Sequence, residues 1–224
     1  MTYSQLPESI KNECTERYWK MLESHKFTLV CKRVFDVVVS AVILLILSPL
    51  LLVLALAVKL DSPGPVFYKQ TRVGRYNKDF KIYKFRTMVQ DADKIGPPLT
   101  MGKDPRITHV GSIIRKLRLD EFSQLLNVLN GTMSLVGPRP EVRRYVDAYT
   151  PEDMATLLIR PGITAPSSIA FKDEDRLLKR GGDPEKIYKE KILPPKMKLN
   201  LNYMKDISVG NDIKIMFQTV AAVF

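Results

Sequence analysis

Hydrophobic and polar positions divide this chain sharply. From Val37 to Val58 run 22 consecutive uncharged residues, VVVSAVILLILSPLLLVLALAV. A straight helix of that length reaches about 33 Å, enough for a hydrocarbon core of roughly 30 Å. Apolar residues fill almost every position, so no polar stripe faces water and the segment calls for lipid or a large core. The 164 residues after Leu60 are too polar to wrap it. A cleavable leader is not expected, because the run is too long and no small-residue cleavage site follows. Ser48-Pro49 sits near the middle. Pro49 donates no N–H and clashes with the Leu45 carbonyl, so the helix bends or breaks there, and the Ser48 hydroxyl is a candidate partner for that carbonyl. Two readings stay open: a kinked spanning helix, or a re-entrant hairpin entering and leaving by one face.

The rest of the pattern is mixed. Residues 8–27 predict a helix with Ile10, Cys14, Tyr18, Met21 and Leu22 on one face. Tyr18 and Trp19 suit the headgroup level, or the helix packs on a soluble domain. VFYKQTRVGRYNKDFKIYKF (66–85) predicts a β-hairpin turning at GRYNKD. Residues 89–108 read as a Gly/Pro loop. A helical pattern runs from Ser112 to Asn130, with apolar residues at 113, 114, 117, 122, 125, 126 and 129, and stops at Asn130-Gly131. VGPRP (136–140) is a stiff turn. Helices are expected over 151–159, 172–180, 184–191 and from the Pro-Pro of 193–204 onward, with an apolar helical tail from Ile213. The resulting class is α+β, mostly helical. The expected divisions are an N-terminal interfacial or packing helix (1–33), the membrane segment (34–60) and a cytosolic domain (61–224).

Charge changes the picture. The chain carries 35 Lys+Arg against 24 Asp+Glu, a net of +11. Lys26, Lys32 and Arg33 precede the apolar run. Eight basic residues against two acidic ones occupy 59–86. Positive charge marks the cytoplasmic side, and here it flanks both ends, which suits a hairpin better than a span, although the downstream bias is stronger. Cys14 and Cys31 cannot form a disulfide framework, and with His25 and His109 isolated no zinc or multi-His centre is expected.

Three acidic groups stand out: Asp120-Glu121, Glu152-Asp153 and Asp173 to Asp175. The last two read as solvated helix starts. Asp120-Glu121 differ, because Arg115, Lys116 and Arg118 precede them. Neighbouring cations keep a carboxylate ionised and recruit phosphate-bearing ligands. A carboxylate nucleophile forming an acyl phosphate, beside a second acid that holds a metal or moves a proton, fits this pair.

The segments KRVFDVVVSAVILLILSPLLLVLALAVKLDSPGPVFYKQTRVGR (32–75), FKIYKFRTM (80–88), LDEFSQLLNVLNGTMSLVGPRPE (119–141), RPGIT (160–164) and LPPKMKLNLNYM (193–204) resemble the bacterial sugar transferases, the monotopic phosphoglycosyl transferases. The combination of KFRTM, LDE and MSLVGPRP carries the resemblance. It implies transfer of a phosphosugar from a UDP-sugar to a polyprenyl phosphate such as undecaprenyl phosphate, releasing UMP, as the first membrane step of surface glycan assembly. It implies a re-entrant helix broken at Ser48-Pro49, residence in membrane lipid, and a catalytic domain on the cytoplasmic face of the bacterial inner membrane. It makes Asp120 the nucleophile and Glu121 its assistant, both candidate ligands of Mg²⁺. Arg115 and Arg139 become phosphate ligands, with Lys84, Arg86 and Arg160 as further substrate-binding candidates. The interface-seeking segments would allow a homodimer.

The chain departs from the family at Arg118, where many members have a helix-capping Ser, and at Ser123, where many have Pro. A helix break before Asp120 would place the dyad in a first turn whose dipole favours phosphate. Segment 165–178, APSSIAFKDEDRLL, follows one branch of the family and bears on the sugar or nucleotide. Two other classes compete. A non-enzymatic, membrane-anchored basic adaptor would depend on total charge rather than on Asp120. A nucleic-acid binder lacks any helix-turn-helix, RNP or zinc pattern here.

Overall fold

The computed structural model describes residues 2–95, 104–178 and 183–223. After two single 3₁₀ turns, helix α1 (Glu13–Ser24) starts at Asn12, whose side chain accepts from the Thr15 N–H while the Thr15 hydroxyl accepts from the Asn12 N–H. This reciprocal cap satisfies two orphan donors. Helix α1 is a packing element. Tyr18 and Trp19 are buried, Tyr18 donates to Glu152 at 3.1 Å, and Trp19 lies between Tyr3 and Tyr76.

Helix α2 (Lys26–Asp61) contains the whole apolar run, carries Pro49 inside one helical span where a helix–break–helix was expected, and begins before the boundary read at residue 34. It is the one described helix long and apolar enough to cross a membrane, and Leu45, Ile46, Leu52, Val53 and Leu56 on it are exposed. The Ser48 hydroxyl donates to the Leu45 carbonyl at 2.8 Å, the group that Pro49 deprives of its helical partner. Both ends of α2 pack on the same body. Lys32, Asp36 and Ser40 are buried at one end, and Val58 packs with Phe85 and Ile114 at the other. Lys32 is therefore not a flanking interfacial charge. It pairs with Asp212, which the sequence places 180 residues away.

Strands β1 (Phe67–Val73) and β2 (Asp79–Phe85) form the expected antiparallel hairpin, with Phe67 opposite Phe85 and Lys84 opposite Tyr68. A short helix α3 (Ala92–Ile95) follows, and much of the predicted 89–108 loop lies outside the described residues. The expected continuous helix 112–130 is divided. Helix α4 (His109–Lys116) ends, Arg118 takes a left-handed conformation with φ 57°, a 3₁₀ helix covers Leu119–Gln124, and α5 spans Leu125–Leu129. The apolar spacing runs unbroken across this point, so periodicity hides the break. Tertiary contacts hold a conformation that costs an L-residue roughly 1 kcal/mol.

Strand β3 (Ser134–Val136) pairs in parallel with β4 (Gly162–Thr164), a sheet the sequence pattern did not announce. Gly137 and Gly162 make the close approach: a Cβ on Gly162 would stand 2.1 Å from the Gly137 nitrogen. Between these strands lie α6 (Arg143–Val146) and a 3₁₀ helix over Asp153–Leu158, where an α-helix was expected. Helices α7 (Pro166–Ala170), α8 (Glu174–Leu178) and α9 (Pro184–Ile187) are short, and a π-helical turn over Tyr188–Ile192 leads into α10 (Leu193–Lys205). Helix α11 (Val209–Val223) closes the chain, with Ile213, Phe217 and Val220 exposed. The main core gathers α1, β1, β2, α5, β3, α10 and α11 residues around Val128, Met133, Val136 and Met204.

Candidate active site

The break at Arg118 decides where the dyad points. A left-handed residue turns the chain after α4, so Asp120 and Glu121 open a new 3₁₀ turn against β2. Two contacts fix that turn. The Ser123 hydroxyl donates to the Tyr83 carbonyl at 2.9 Å and to the Asp120 carbonyl at 3.1 Å. The Asn127 side chain takes the place of a strand along β2, accepting from the Tyr83 N–H and donating to the Lys81 carbonyl, at 2.9 and 2.8 Å. Lys84 is thereby set beside the dyad. Neither Ser123 nor Asn127 signals this in the sequence, because small polar residues in a helical run read as ordinary.

Glu121 is clamped. Its Oε1 accepts from Lys84 Nζ at 3.1 Å and from Arg139 Nη2, and its Oε2 accepts from Arg139 Nη1 at 3.3 Å. Arg139 also donates to the Ile163 carbonyl at 3.0 Å, held there by the VGPRP turn between β3 and β4. A two-pronged guanidinium–carboxylate contact of this kind fixes geometry as well as charge. Burial works against the Glu121 charge. Arg139 and then Lys84 outweigh it and hold the carboxyl well below the usual range. The neighbouring Glu121 in turn raises Arg139.

Asp120 is the opposite case. It makes no ion pair among the described residues. Burial pushes its carboxyl up, and Lys84 and Arg115 only partly oppose this. Adjacent acids whose environments push their pKa values apart mark a division of roles.

The sequence candidates thus separate into two groups. Lys84, Arg115, Asp120, Glu121 and Arg139 come together. Arg86 does not point at the dyad. It is buried and donates to the carbonyls of Val58, Ser62 and Pro63, at 3.0, 2.7 and 2.8 Å, so it caps the end of α2. A cation suits that pole, where the last helical carbonyls have no partner. Arg160 lies at the other end of α5, its Nε donating to the Gly131 carbonyl at 2.8 Å.

Among the described residues no group of three or more His, Cys, Asp or Glu side chains could hold a metal. Magnesium binds commonly through one or two carboxylates plus substrate phosphates. Asp120 and Glu121 fit it only in that way, as an edge that phosphate oxygens must complete.

The family described as Bacterial sugar transferase matches residues 27–224. A UDP-N-acetylgalactosamine-undecaprenyl-phosphate N-acetylgalactosaminephosphotransferase of Aeromonas hydrophila is 38% identical over 200 residues, covering 86% of this chain and 43% of that protein. A UDP-glucose:undecaprenyl-phosphate glucose-1-phosphate transferase of Escherichia coli K12 is 41% identical over 198 residues, covering 84% of this chain and 39% of that one. An exopolysaccharide production protein of Rhizobium leguminosarum is 40% identical over 201 residues, with 87% and 95% covered. The chain spans about two fifths of the length of the first two relatives and nearly all of the third. With the matched region enclosing α2, the dyad turn and the VGPRP clamp, the chain belongs to the bacterial sugar transferase family.

Proposed function

We propose that this chain transfers a phosphosugar from a UDP-sugar to undecaprenyl phosphate or a related polyprenyl phosphate. The observation that carries the reading is the contrast within the dyad: Glu121 held ionised by Lys84 and Arg139, and Asp120 beside it, without an ion pair among the described residues and raised by burial. A desolvated carboxylate is a better nucleophile than a solvated, ion-paired one.

In the first step an Asp120 oxygen attacks the sugar-linked phosphorus. A new acyl phosphate P–O bond forms, the P–O bond to UMP breaks, and UMP leaves with that electron pair. In the second step a phosphate oxygen of the lipid attacks the same phosphorus. The acyl phosphate bond breaks, Asp120 is regenerated, and the product is a polyprenyl-diphosphate sugar. Arg139, Lys84 and Arg115 neutralise the phosphate oxygens during each transfer. Glu121 holds Arg139 and Lys84 in place beside the reacting phosphate. Magnesium, when bound at the Asp120–Glu121 edge, supplies charge neutralisation for the diphosphate.

The membrane arrangement supports the same reading. Residues 32–40 and 54–58 both pack on one body, whereas a spanning helix would leave its ends on opposite sides of a bilayer. A re-entrant α2 turning at Ser48-Pro49, with its flanking cations on the cytoplasmic side, satisfies both. Exposed Ile113, Leu117, Leu126, Leu129 and Phe217 extend the apolar surface beside it. A lipid phosphate and a soluble nucleotide sugar can meet only at that depth. The test is UMP release in nanodiscs with Mg²⁺, undecaprenyl phosphate and a panel of UDP-sugars. Turnover with one sugar, together with a phosphosugar mass adduct on Asp120 when the lipid is omitted, is the expected result. Turnover that persists in Asp120→Asn would remove the mechanism.

A further inference from the structure

Three arginines from distant parts of the chain converge away from the dyad. Arg33 lies on α2, Arg75 follows β1, and Arg160 precedes β4. Arg33 and Arg160 meet at Gly131, where a Cβ would stand 3.6 Å from Arg33 Nη2 and whose carbonyl accepts from Arg160, and Arg75 holds the Leu158 carbonyl two residues before Arg160. Arg33 donates to the Leu129 and Met133 carbonyls, both at 3.4 Å, and Arg160 donates to Gly131 between them. Arg75 spends its Nε on the Leu158 carbonyl at 2.9 Å and stacks on Tyr76. None of the three forms an ion pair among the described residues. The nearest acid that attracts Arg33 is Asp36, and its oxygens are already taken by Ser134, the Leu135 N–H and Lys32. Collecting three like charges is unfavourable unless an anion offsets them.

The surroundings define the anion. Phe27, Val30 and Val34 beside Arg33 on α2 are exposed, as is Leu129, whose carbonyl Arg33 holds. The Arg33 guanidinium therefore stands at the rim of an apolar face, at the depth where α2 begins its uncharged run, with Arg160 on the same 129–133 turn. A ligand suited to this rim has a phosphate next to hydrocarbon. It is not the reacting acceptor. The chain from Asp120 to Leu129 rises about 15 Å along its helical turns, and transfer needs reacting atoms within roughly 3.5 Å.

We propose that Arg33, Arg160 and Arg75 form a binding site for the phosphate headgroup of an anionic phospholipid, separate from the site of transfer. This rests on the membrane reading of α2. The site would fix the height and tilt of the domain at the bilayer surface, and so the height of the dyad.

The test uses the full chain. Native mass spectrometry from mild detergent, with phosphatidylglycerol or phosphatidylcholine added, counts retained lipids. Co-sedimentation with phosphatidylcholine vesicles reports the anchor alone. Wild type should retain one phosphatidylglycerol in preference to phosphatidylcholine. Arg33→Gln and Arg160→Gln should each lower that retention roughly 10-fold, the loss of a charged hydrogen-bond partner. Arg160→Lys should fall between them and wild type. Lys26→Gln, at the exposed start of α2, should change nothing. Equal losses in Lys26→Gln and Arg33→Gln would reduce the effect to diffuse attraction and overturn the site. Wild-type retention without headgroup preference would do the same and needs no variant to fold. One-for-one displacement of phosphatidylglycerol by undecaprenyl phosphate would reassign the arginines to the acceptor. Failure to co-sediment with neutral vesicles would sink the membrane reading, whereas co-sedimentation without preference would sink this site alone.

Discussion

Two ionic clusters in this molecule use the same residue types for opposite ends. In the first, Lys32, Asp36, Asp212, Tyr203 and Ser134 lock the start of α2 to α11, α10 and β3. Lys32 pairs with Asp212 and approaches Asp36 at 3.7 Å, Ser134 donates to Asp36 at 2.6 Å, and Tyr203 donates to Asp212 at 2.7 Å. All three charged groups are buried, and each carboxylate is met by donors. In the second, Lys84, Arg139 and Glu121 are only part-buried, and the cluster ends on Asp120, which no ion pair among the described residues closes. A fully satisfied buried cluster fixes a structure, whereas one that stops at an unpaired carboxylate leaves a reactive group held in place.

The sharpest way to break this contrast is to neutralise its open end. Asp120→Asn keeps the shape of the turn and removes the nucleophile. UMP release should fall about 10⁴-fold, ~5.5 kcal/mol of barrier, with an unchanged melting temperature. A large drop in melting temperature would mean that Asp120 belongs with the structural cluster.

The mirror experiment neutralises the closed cluster. Asp212→Ala leaves Lys32 buried with only the longer 3.7 Å contact to Asp36. Removing one partner of a buried pair costs about 3–5 kcal/mol. Thermal unfolding should therefore come earlier by about 6–20 °C. The specific activity of the protein that remains folded should stay within roughly threefold of wild type, far less than the Asp120 effect. Loss of activity without loss of stability would erase the distinction.

These two clusters were unequally legible in the sequence. The dyad stood out because two acids followed a basic run and preceded VGPRP, so the groups that bring charge to phosphate lay within short, recognisable segments. That Glu121, and not Asp120, would take both Lys84 and Arg139 was not legible. It depends on the left-handed turn at Arg118, a residue with no intrinsic reason to adopt one. The Lys32–Asp212 lock was invisible for a different reason. Its partners are 180 residues apart, and next to an apolar run Lys32 reads as a headgroup anchor. Likewise Tyr18 and Trp19 carry the composition of an interface but are buried against the Asp153–Leu158 turn. The hairpin, by contrast, came directly from its strand formers and turn, because its pairing is local.

A smaller effect tests the clamp. Glu121→Gln removes the charge that orients Arg139 and Lys84 while keeping the side-chain shape. Turnover should drop about 100-fold, ~2.7 kcal/mol, with the loss in kcat rather than in KM if the cations act on the transition state. Arg139→Lys preserves charge but loses the two-pronged contact, so it should fall about 10-fold. Equal losses in the two variants would mean that charge alone matters and the geometry of the clamp does not.

The smallest effect separates the two clusters by pH. Against its burial, Arg139 and Lys84 hold the folded-state pKa of Glu121 below its ordinary value of 4.5. Its contribution is therefore present above that value and is lost only as pH falls through the lower folded value. Asp212 runs the other way. Burial, against the pull of Lys32, raises it above its ordinary value of 3.8. Its contribution is fully present below that value and declines as pH rises through the higher folded value. The melting-temperature gap between wild type and Glu121→Gln should therefore widen from pH 3 to pH 5 and then level. The gap between wild type and Asp212→Asn should narrow as pH rises above about 4. Opposite slopes would show that one carboxylate is clamped by more cation than its burial demands and the other by less. Slopes of the same sign would mean that the two clusters are electrostatically alike, and the functional difference would then rest on the lack of an ion pair at Asp120 among the described residues.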